Sequence, residues 1–280
     1  MLIRKIFGFW ILLVFCSCSS LLYYPTKEQH SDPKKFGIQA TKYNDVWFNS
    51  EDGTKLHGWF FESRLYPKSK AVIVFFHGNA ENISTHFTTL LWVLTHGYDF
   101  FIFDYRGYGI SEGEPSPRGT MEDGKAALRW AHRQHPKTPL VVFGQSLGGA
   151  IALRSALEIK GELPIRLIVA DSTFHSYQTI GANVLSRSWL TWLFQPLAYV
   201  LLSDQYAPKT KIKELSPVPV VVIHGDKDQT VEFELGKKVY ELAASPKEFW
   251  PIPGGYHIDC FWRQDQYCRH KLLETLKKIL

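Results

Sequence analysis

The sequence predicts an α/β fold: a mostly parallel central sheet of about eight strands, helices on both faces, and a small helical lid. Three observations carry this expectation. Apolar runs such as Ala71–Phe76, AVIVFF, have no polar face, as expected of strands covered on both sides. Such runs alternate with segments of helical composition, the order that joins parallel strands through crossover helices. Between Leu140 and Leu157 one run turns abruptly into a helix through Gly144-Gln145-Ser146-Leu147-Gly148. The chain has 280 residues, enough for one large domain of this kind.

The N-terminus stands apart. Arg4 and Lys5 precede an apolar run, Ile6–Phe15, followed by Cys16-Ser17-Cys18-Ser19-Ser20. A basic start, a short apolar core and small residues read as an export signal over residues 1–18. Its end resembles a bacterial lipoprotein signal, with Cys18 the expected lipidated residue because Ser17 before it is small. A retained anchor is the alternative, since no charge occurs from Ile6 to Thr26, just long enough to span a bilayer. Either way the domain is expected at a membrane of the cell envelope, facing the extracytoplasmic side. Residues 19–40 read as a polar, Pro-containing linker, and 41–280 as the folded domain.

Asp45–Phe48 and Leu56–Glu62 flank Glu51-Asp52-Gly53 and predict a hairpin at one sheet edge. The Ala71–Phe76 strand ends at His77-Gly78-Asn79-Ala80, and Ser84–Thr95 reads as a helix. Strand Asp99–Phe103 leads into Asp104-Tyr105-Arg106-Gly107-Tyr108-Gly109, and Thr120–Gln134 is helical. After strand Leu140–Phe143 and helix Ala150–Leu157, strand Leu167–Ala170 ends at Asp171-Ser172. Strand Val218–Ile223 ends at His224-Gly225-Asp226-Lys227-Asp228. Helix Val231–Ala244, strand Phe249–Ile252, the loop Pro253-Gly254-Gly255-Tyr256-His257 and a basic helix Arg263–Leu280 complete the chain.

Residues of about 173–213 break the alternation. Ser188–Leu202 follows helical spacing yet is apolar on every face, and Pro196 should break or kink it. It predicts either a buried helix on the sheet or a lid whose Trp189 and Trp192 wall a substrate site. Cys260 and Cys268 lie eight apart; on one helix that is a rise of roughly 12 Å, too far to bridge. Two unpaired thiols are therefore expected unless Cys260 precedes the helix. No metal or other cofactor is expected: the cysteines lack C-x-x-C spacing, and His224, Asp226 and Asp228 have no accompanying ligand set. The net charge of +5, from 32 Lys and Arg against 27 Asp and Glu, is dispersed and predicts no nucleic-acid partner.

A strand turning into a helix around G-x-S-x-G has the form of a nucleophile elbow. Ser146 would sit in a strained, exposed turn, with glycines two residues to either side allowing close approach, and the following helix would aim its free N–H groups at the reacting centre. A serine hydroxyl needs a base, and the base an orienting acid. His257, on a Gly-rich loop after a strand, is the expected base; His270 lies inside a helix. Asp171, Asp226 and Asp228 all follow strands and are candidate acids, with Asp228, furthest along its loop, favoured. Backbone N–H groups of Leu147 and Asn79 are the expected donors to an oxyanion. His77 and His224, each followed by glycine, read as structural.

HGNAEN at 77–82, DYRGYGISEG at 104–113, GQSLGG at 144–149 and HGDKD at 224–228 together resemble the α/β-hydrolase superfamily. Within it they resemble one branch of small membrane-associated α/β-hydrolase-domain proteins, which includes eukaryotic protein depalmitoylases and many bacterial lipoprotein-type hydrolases. The resemblance runs from about Val46 to the C-terminus. It implies the α/β-hydrolase fold, a Ser146–Asp228–His257 triad, an oxyanion hole at Asn79 and Leu147, and a structural role for Asp104–Gly109. One departure is Tyr256, where such proteins usually carry Gly directly before the histidine. The expected function is a metal-independent serine hydrolase cleaving carboxylic esters or thioesters through an acyl-enzyme on Ser146. The alternatives are a serine peptidase with the same triad and an inactive envelope scaffold.

Overall fold

Thr41–Asn49 (β1) and Lys55–Ser63 (β2) form the expected hairpin, in register from Thr41 opposite Ser63 to Asn49 opposite Lys55. Its turn closes with the Ser50 N–H donating to Thr54 O at 2.9 Å, and Gly53 takes φ +86°, which the missing Cβ permits. The computed structural model describes residues 22–36 and 41–280, so Cys16, Cys18 and the expected signal or anchor lie outside the described residues.

Six further strands complete one sheet: β3 (Val72–Phe76), β4 (Asp99–Phe103), β5 (Leu140–Gln145), β6 (Ile165–Asp171), β7 (Val220–Gly225) and β8 (Lys247–Ile252). The strand order is β8-β7-β6-β5-β3-β4-β2-β1. Only β2 is antiparallel to its neighbours β1 and β4; every other pairing is parallel. The order reverses at β3, which lies between β4 and β5. In open parallel sheets the crevice beyond the carboxyl ends at such a reversal is where ligands bind. The loops after β3 and β5 border it.

The apolar runs have no polar face because each strand feeds two cores. Val72, Val74 and Phe76 enter one, with Leu140 and Val142 beside them. Ile73 and Phe75 enter the other, with Val141 and Phe143. The first is covered by α1 (Pro117–Gln134), α2 (Leu147–Glu158) and Phe233–Leu242; the second by the turns over 83–96 and by Tyr267–Ile279. The loop after β4 is braced: Asp104 Oδ1 accepts from the Ile83 N–H at 2.9 Å, and the Arg106 guanidinium bonds Asp123 of α1 and Asp52 of the hairpin, each at 2.8 Å.

Four expectations need correction. Ser84–Thr95 is not one helix but Ile83–His86 followed by 3-10 turns Phe87–Thr89 and Leu91–His96. Thr85, Thr88 and Thr95 each turn their hydroxyl back onto the carbonyl three residues earlier, which competes with helix extension. The lid run is divided into α3 (Tyr177–Ser186), a 3-10 turn Trp192–Phe194 and α4 (Gln195–Leu201). Pro196 lies in the first turn of α4, where its missing N–H costs nothing, so the proline starts a helix instead of kinking one. Cys260 lies in a 3-10 turn ahead of the last helix, α6 (Tyr267–Ile279), α5 being Phe233–Leu242. Its Cα is therefore 5.8 Å from that of Cys268 and the two form a disulfide. Finally, Leu22–Phe36, read as linker, is docked on the body. Tyr24–Pro25 pairs in parallel with Ala80–Glu81, Tyr23 is buried with its hydroxyl 3.2 Å from Thr120 Oγ1, and Asn82 Nδ2 donates to Thr26 O and Glu28 O. Two aromatic side chains after the apolar segment supply contacts that a polar linker would lack.

Candidate active site

Ser146 connects β5 to α2 with φ +55° and ψ −124°, a conformation that costs a non-glycine residue about 1–3 kcal/mol. Its neighbours hold it there. The Ser146 N–H donates to Asp171 O at 2.8 Å, and its carbonyl accepts from the Gly149 N–H at 3.0 Å and Thr173 Oγ1 at 2.6 Å. The flanking glycine is obligatory: a Cβ on Gly144 would stand 2.6 Å from Gly148 O and 2.7 Å from Gly149 Cα.

His257, on the loop after β8, places Nε2 3.0 Å from Ser146 Oγ. Its Nδ1 lies 2.7 Å from Asp228 Oδ2, so Nδ1–H donates to the carboxylate and Nε2 accepts from the hydroxyl. The other oxygen of Asp228 accepts from the Thr230 and Val231 N–H groups at 2.8 and 2.9 Å. Burial pushes the Asp228 carboxyl up, but the adjacent imidazoles of His224 and His257 and the Val231 backbone N–H outweigh it and hold the group well below the usual carboxylate range. Asp228 is thus a fixed anion. His224 is buried and donates Nε2–H to Val231 O at 2.8 Å, bracing the same turn.

The other two aspartates do not touch His257. Asp226 is exposed and accepts from the Gly254 N–H at 2.7 Å, tying the β7 turn to the histidine loop. Asp171 is buried under Ser146, accepting from Gln145 Nε2 at 2.8 Å and Ser172 Oγ at 3.0 Å, and burial raises its carboxyl above the ordinary value. Ser172 Oγ in turn accepts from the Ile258 N–H at 3.1 Å. A chain of hydrogen bonds thus runs from the residue before the serine to the residue after the histidine. Sequence reasoning missed Ser172, because nothing in the string Asp171-Ser172 marks a partner 86 residues away. Tyr256, the bulky departure before the histidine, is 58% exposed, so its ring points to solvent and leaves His257 in place.

Asn79 and Leu147 border a cavity of about 600 Å³ that opens at Ser146. The Asn79 side chain is clamped: Oδ1 accepts from the Tyr24 N–H at 3.0 Å and Tyr108 Oη at 2.8 Å, and Nδ2 donates to Leu22 O at 2.8 Å. His77 is buried; its Nδ1 donates to Gly78 O at 2.7 Å, and burial lowers its pKa well below the ordinary imidazole value. The cavity walls are apolar, among them Phe174, Ile180, Phe194, Leu197 and Ala198, with Leu22 and Tyr24 of the docked N-terminal segment. Trp189 and Trp192, expected as walls, are not among the lining residues and are 82% and 51% exposed. The helical phase assumed for them is interrupted by the turn at 192–194, which hands the inner face to α4.

A sheet in this order, with a strained serine on the turn after its fifth strand and a histidine on the loop after its eighth, is the α/β-hydrolase fold. Within that superfamily the chain belongs to the family described as Hydrolase_4, serine aminopeptidase S33, whose pattern matches residues 67–215. The uncharacterized protein YfhR of Escherichia coli K12 is 35% identical over 261 residues, covering 91% of this chain and 85% of its own. The lysophosphatidylserine lipase ABHD12 of Danio rerio is 32% identical over 221 residues, covering 75% of this chain and 56% of its own. Among solved structures, the Pyrococcus furiosus esterase Pf2001 superposes with a TM-score of 0.73 at 24% identity, over 92% of this chain and 98% of its own.

Proposed function

We propose that this chain is a serine hydrolase that cleaves carboxylic esters or thioesters of apolar acyl groups. The observation that carries the reading is the relay Asp228–His257–Ser146, at 2.7 and 3.0 Å, opening into an apolar cavity. As the acyl carbonyl meets Ser146 Oγ, His257 Nε2 takes the hydroxyl proton and Asp228 stabilises the imidazolium. The backbone N–H groups of Asn79 and Leu147 receive the oxyanion; the clamped Asn79 side chain fixes the first, and the helix start of α2 presents the second. The imidazolium then protonates the leaving alcohol or thiol, and water enters by the reverse path to release the acid. No step calls for a metal.

The family's description names aminopeptidases, and peptide hydrolysis by the same triad is the second reading. An aminopeptidase must hold the substrate's ammonium group. Among the described residues lining the cavity none is Asp or Glu, and Arg187 is the one charged side chain. An ammonium group would be desolvated there without a partner. A series of p-nitrophenyl esters of increasing acyl length, beside an aminoacyl anilide, separates the readings; anilide turnover exceeding that of every ester would overturn the first.

Ala198 is buried and lines the cavity, so Ala198→Phe should fill the acyl space. Each methylene excluded removes about 0.8 kcal/mol of transfer energy, so kcat/KM for long esters should fall by on the order of 10-fold or more while the acetyl ester is nearly unaffected. A uniform loss across all lengths would place the long chain elsewhere.

The reading has the domain held at a membrane of the cell envelope by the signal or anchor of residues 1–18, with Cys18 as the lipidated first residue. The support is the sequence itself: a basic start, an apolar run and small residues before Cys18. Intact mass spectrometry of the membrane-extracted protein should find a chain starting at acylated Cys18. An unprocessed Met1 would instead identify a retained anchor.

A further inference from the structure

We propose that the outer face of the lid, residues 184–200, docks on the surface of a lipid bilayer, with the acyl cavity opening onto the membrane. The proposal rests on the membrane location given above and not on the reaction.

Among the described residues, half of the eighteen large apolar side chains that are exposed fall within these seventeen positions. Trp189 is 82% exposed, Leu193 72% and Val200 64%. Exposure this dense is unusual on a soluble surface and marks a contact face. The chemistry of that face selects lipid. Trp189, Trp192 and Tyr199 are exposed, and such rings favour the headgroup level of a bilayer. From Ser172 to Ser203 the chain holds no carboxylate, and Arg187 is its one Lys or Arg. Such a face meets no repulsion from anionic headgroups.

Two features orient the cavity towards this face. Val184, Phe194 and Leu197 each line the cavity and are each about half exposed, so its rim belongs to the apolar face. Leu22 and Tyr24 border the same cavity. Cys18, the residue proposed above to carry the lipid, lies four positions before Leu22. The segment directed to the membrane therefore joins the fold at the rim of the lid, which favours a bilayer over a second copy of the chain as the occupant.

The test uses the membrane-extracted mature protein in phosphatidylcholine–phosphatidylglycerol vesicles doped with a phospholipid brominated on its acyl chains, a short-range quencher of tryptophan. Wild-type emission should be quenched, and the Trp189→Phe, Trp192→Phe variant should lose that quenching. Trp262→Phe, exposed elsewhere, should leave quenching unchanged. Ser146→Ala should retain it in full, so failure of the docking and failure of the hydrolase reading are told apart. In parallel, Leu190→Ser, Leu193→Ser, Val200→Ser should preserve turnover of a water-soluble acetyl ester and lower that of a vesicle-embedded ester about tenfold. Equal quenching in wild type and the double Phe variant would overturn the proposal. So would sedimentation of a wild-type dimer that the triple Ser variant dissociates, because self-association would then be what covers the face. If the triple variant fails to fold, the conservative Phe variant decides.

Discussion

Ser146→Ala is expected to lower kcat by on the order of 10⁴-fold or more and to abolish covalent labelling by a fluorophosphonate. The attacking atom is removed while the cavity, the relay and the backbone donors remain. Alanine lacks the hydroxyl that meets His257 Nε2 at 3.0 Å, but the backbone hydrogen bonds that hold the turn do not involve it. Stability should therefore change little, and residual turnover should reflect binding and the oxyanion donors alone. His257→Ala should match it, since no other base is hydrogen-bonded to Ser146 Oγ among the described residues. Labelling or full turnover in the Ser146→Ala protein would remove the mechanism proposed above.

Asp228→Asn should also cost on the order of 10⁴-fold in kcat. The Thr230 and Val231 N–H groups both donate to Oδ1, so the new amide must keep its oxygen there. Its NH₂ then replaces Oδ2 and faces His257 Nδ1, 2.7 Å away in the wild type. Nδ1 must become the acceptor, the ring proton moves to Nε2, and Nε2 can no longer take the serine proton. Asp226→Asn and Asp171→Asn leave the imidazole's partner intact and should cost far less, with Asp171→Asn the larger of the two because two side chains donate to its buried carboxyl. A dead Asp171→Asn beside an active Asp228→Asn would reassign the acid. Stability offers a second readout. A carboxyl whose folded pKa is depressed contributes stability that is fully present above its unfolded value, near 3.9, and is lost as pH falls towards the folded one. The stability gap between wild type and Asp228→Asn should therefore narrow on acidification below the ordinary carboxylate range.

The strands were readable because burial on both faces leaves an unbroken apolar run. Asp99–Phe103 has the predicted bounds, and Ala71–Phe76 is shortened by a single residue. The elbow was readable because sharp strand-to-helix geometry tolerates only glycine at 144. What escaped depended on partners distant in sequence or on helix phase. A proline at the start of a helix and one in its middle look alike in a uniformly apolar run, so the side of the lid facing the cavity was assigned to Trp189 and Trp192. The Cys260–Cys268 bridge turned on whether both cysteines share one helix; Cys260 lies in a separate 3-10 turn ahead of the helix that begins at Tyr267. The choice among three aspartates needed distances, since each follows a strand and only one reaches the imidazole.

The docked segment 22–30 has a consequence for any protease that trims the N-terminus. Leu22 and Tyr24 form part of the cavity wall and hold both ends of the Asn79 amide, and the His30 N–H donates to Ser84 Oγ in the turn that follows. A cut before Leu22 separates the domain from whatever precedes it and leaves the pocket whole. A cut a few residues later removes a wall and unlatches the Asn79 side chain. Separation from the preceding residues and loss of the pocket wall are thus only a handful of peptide bonds apart.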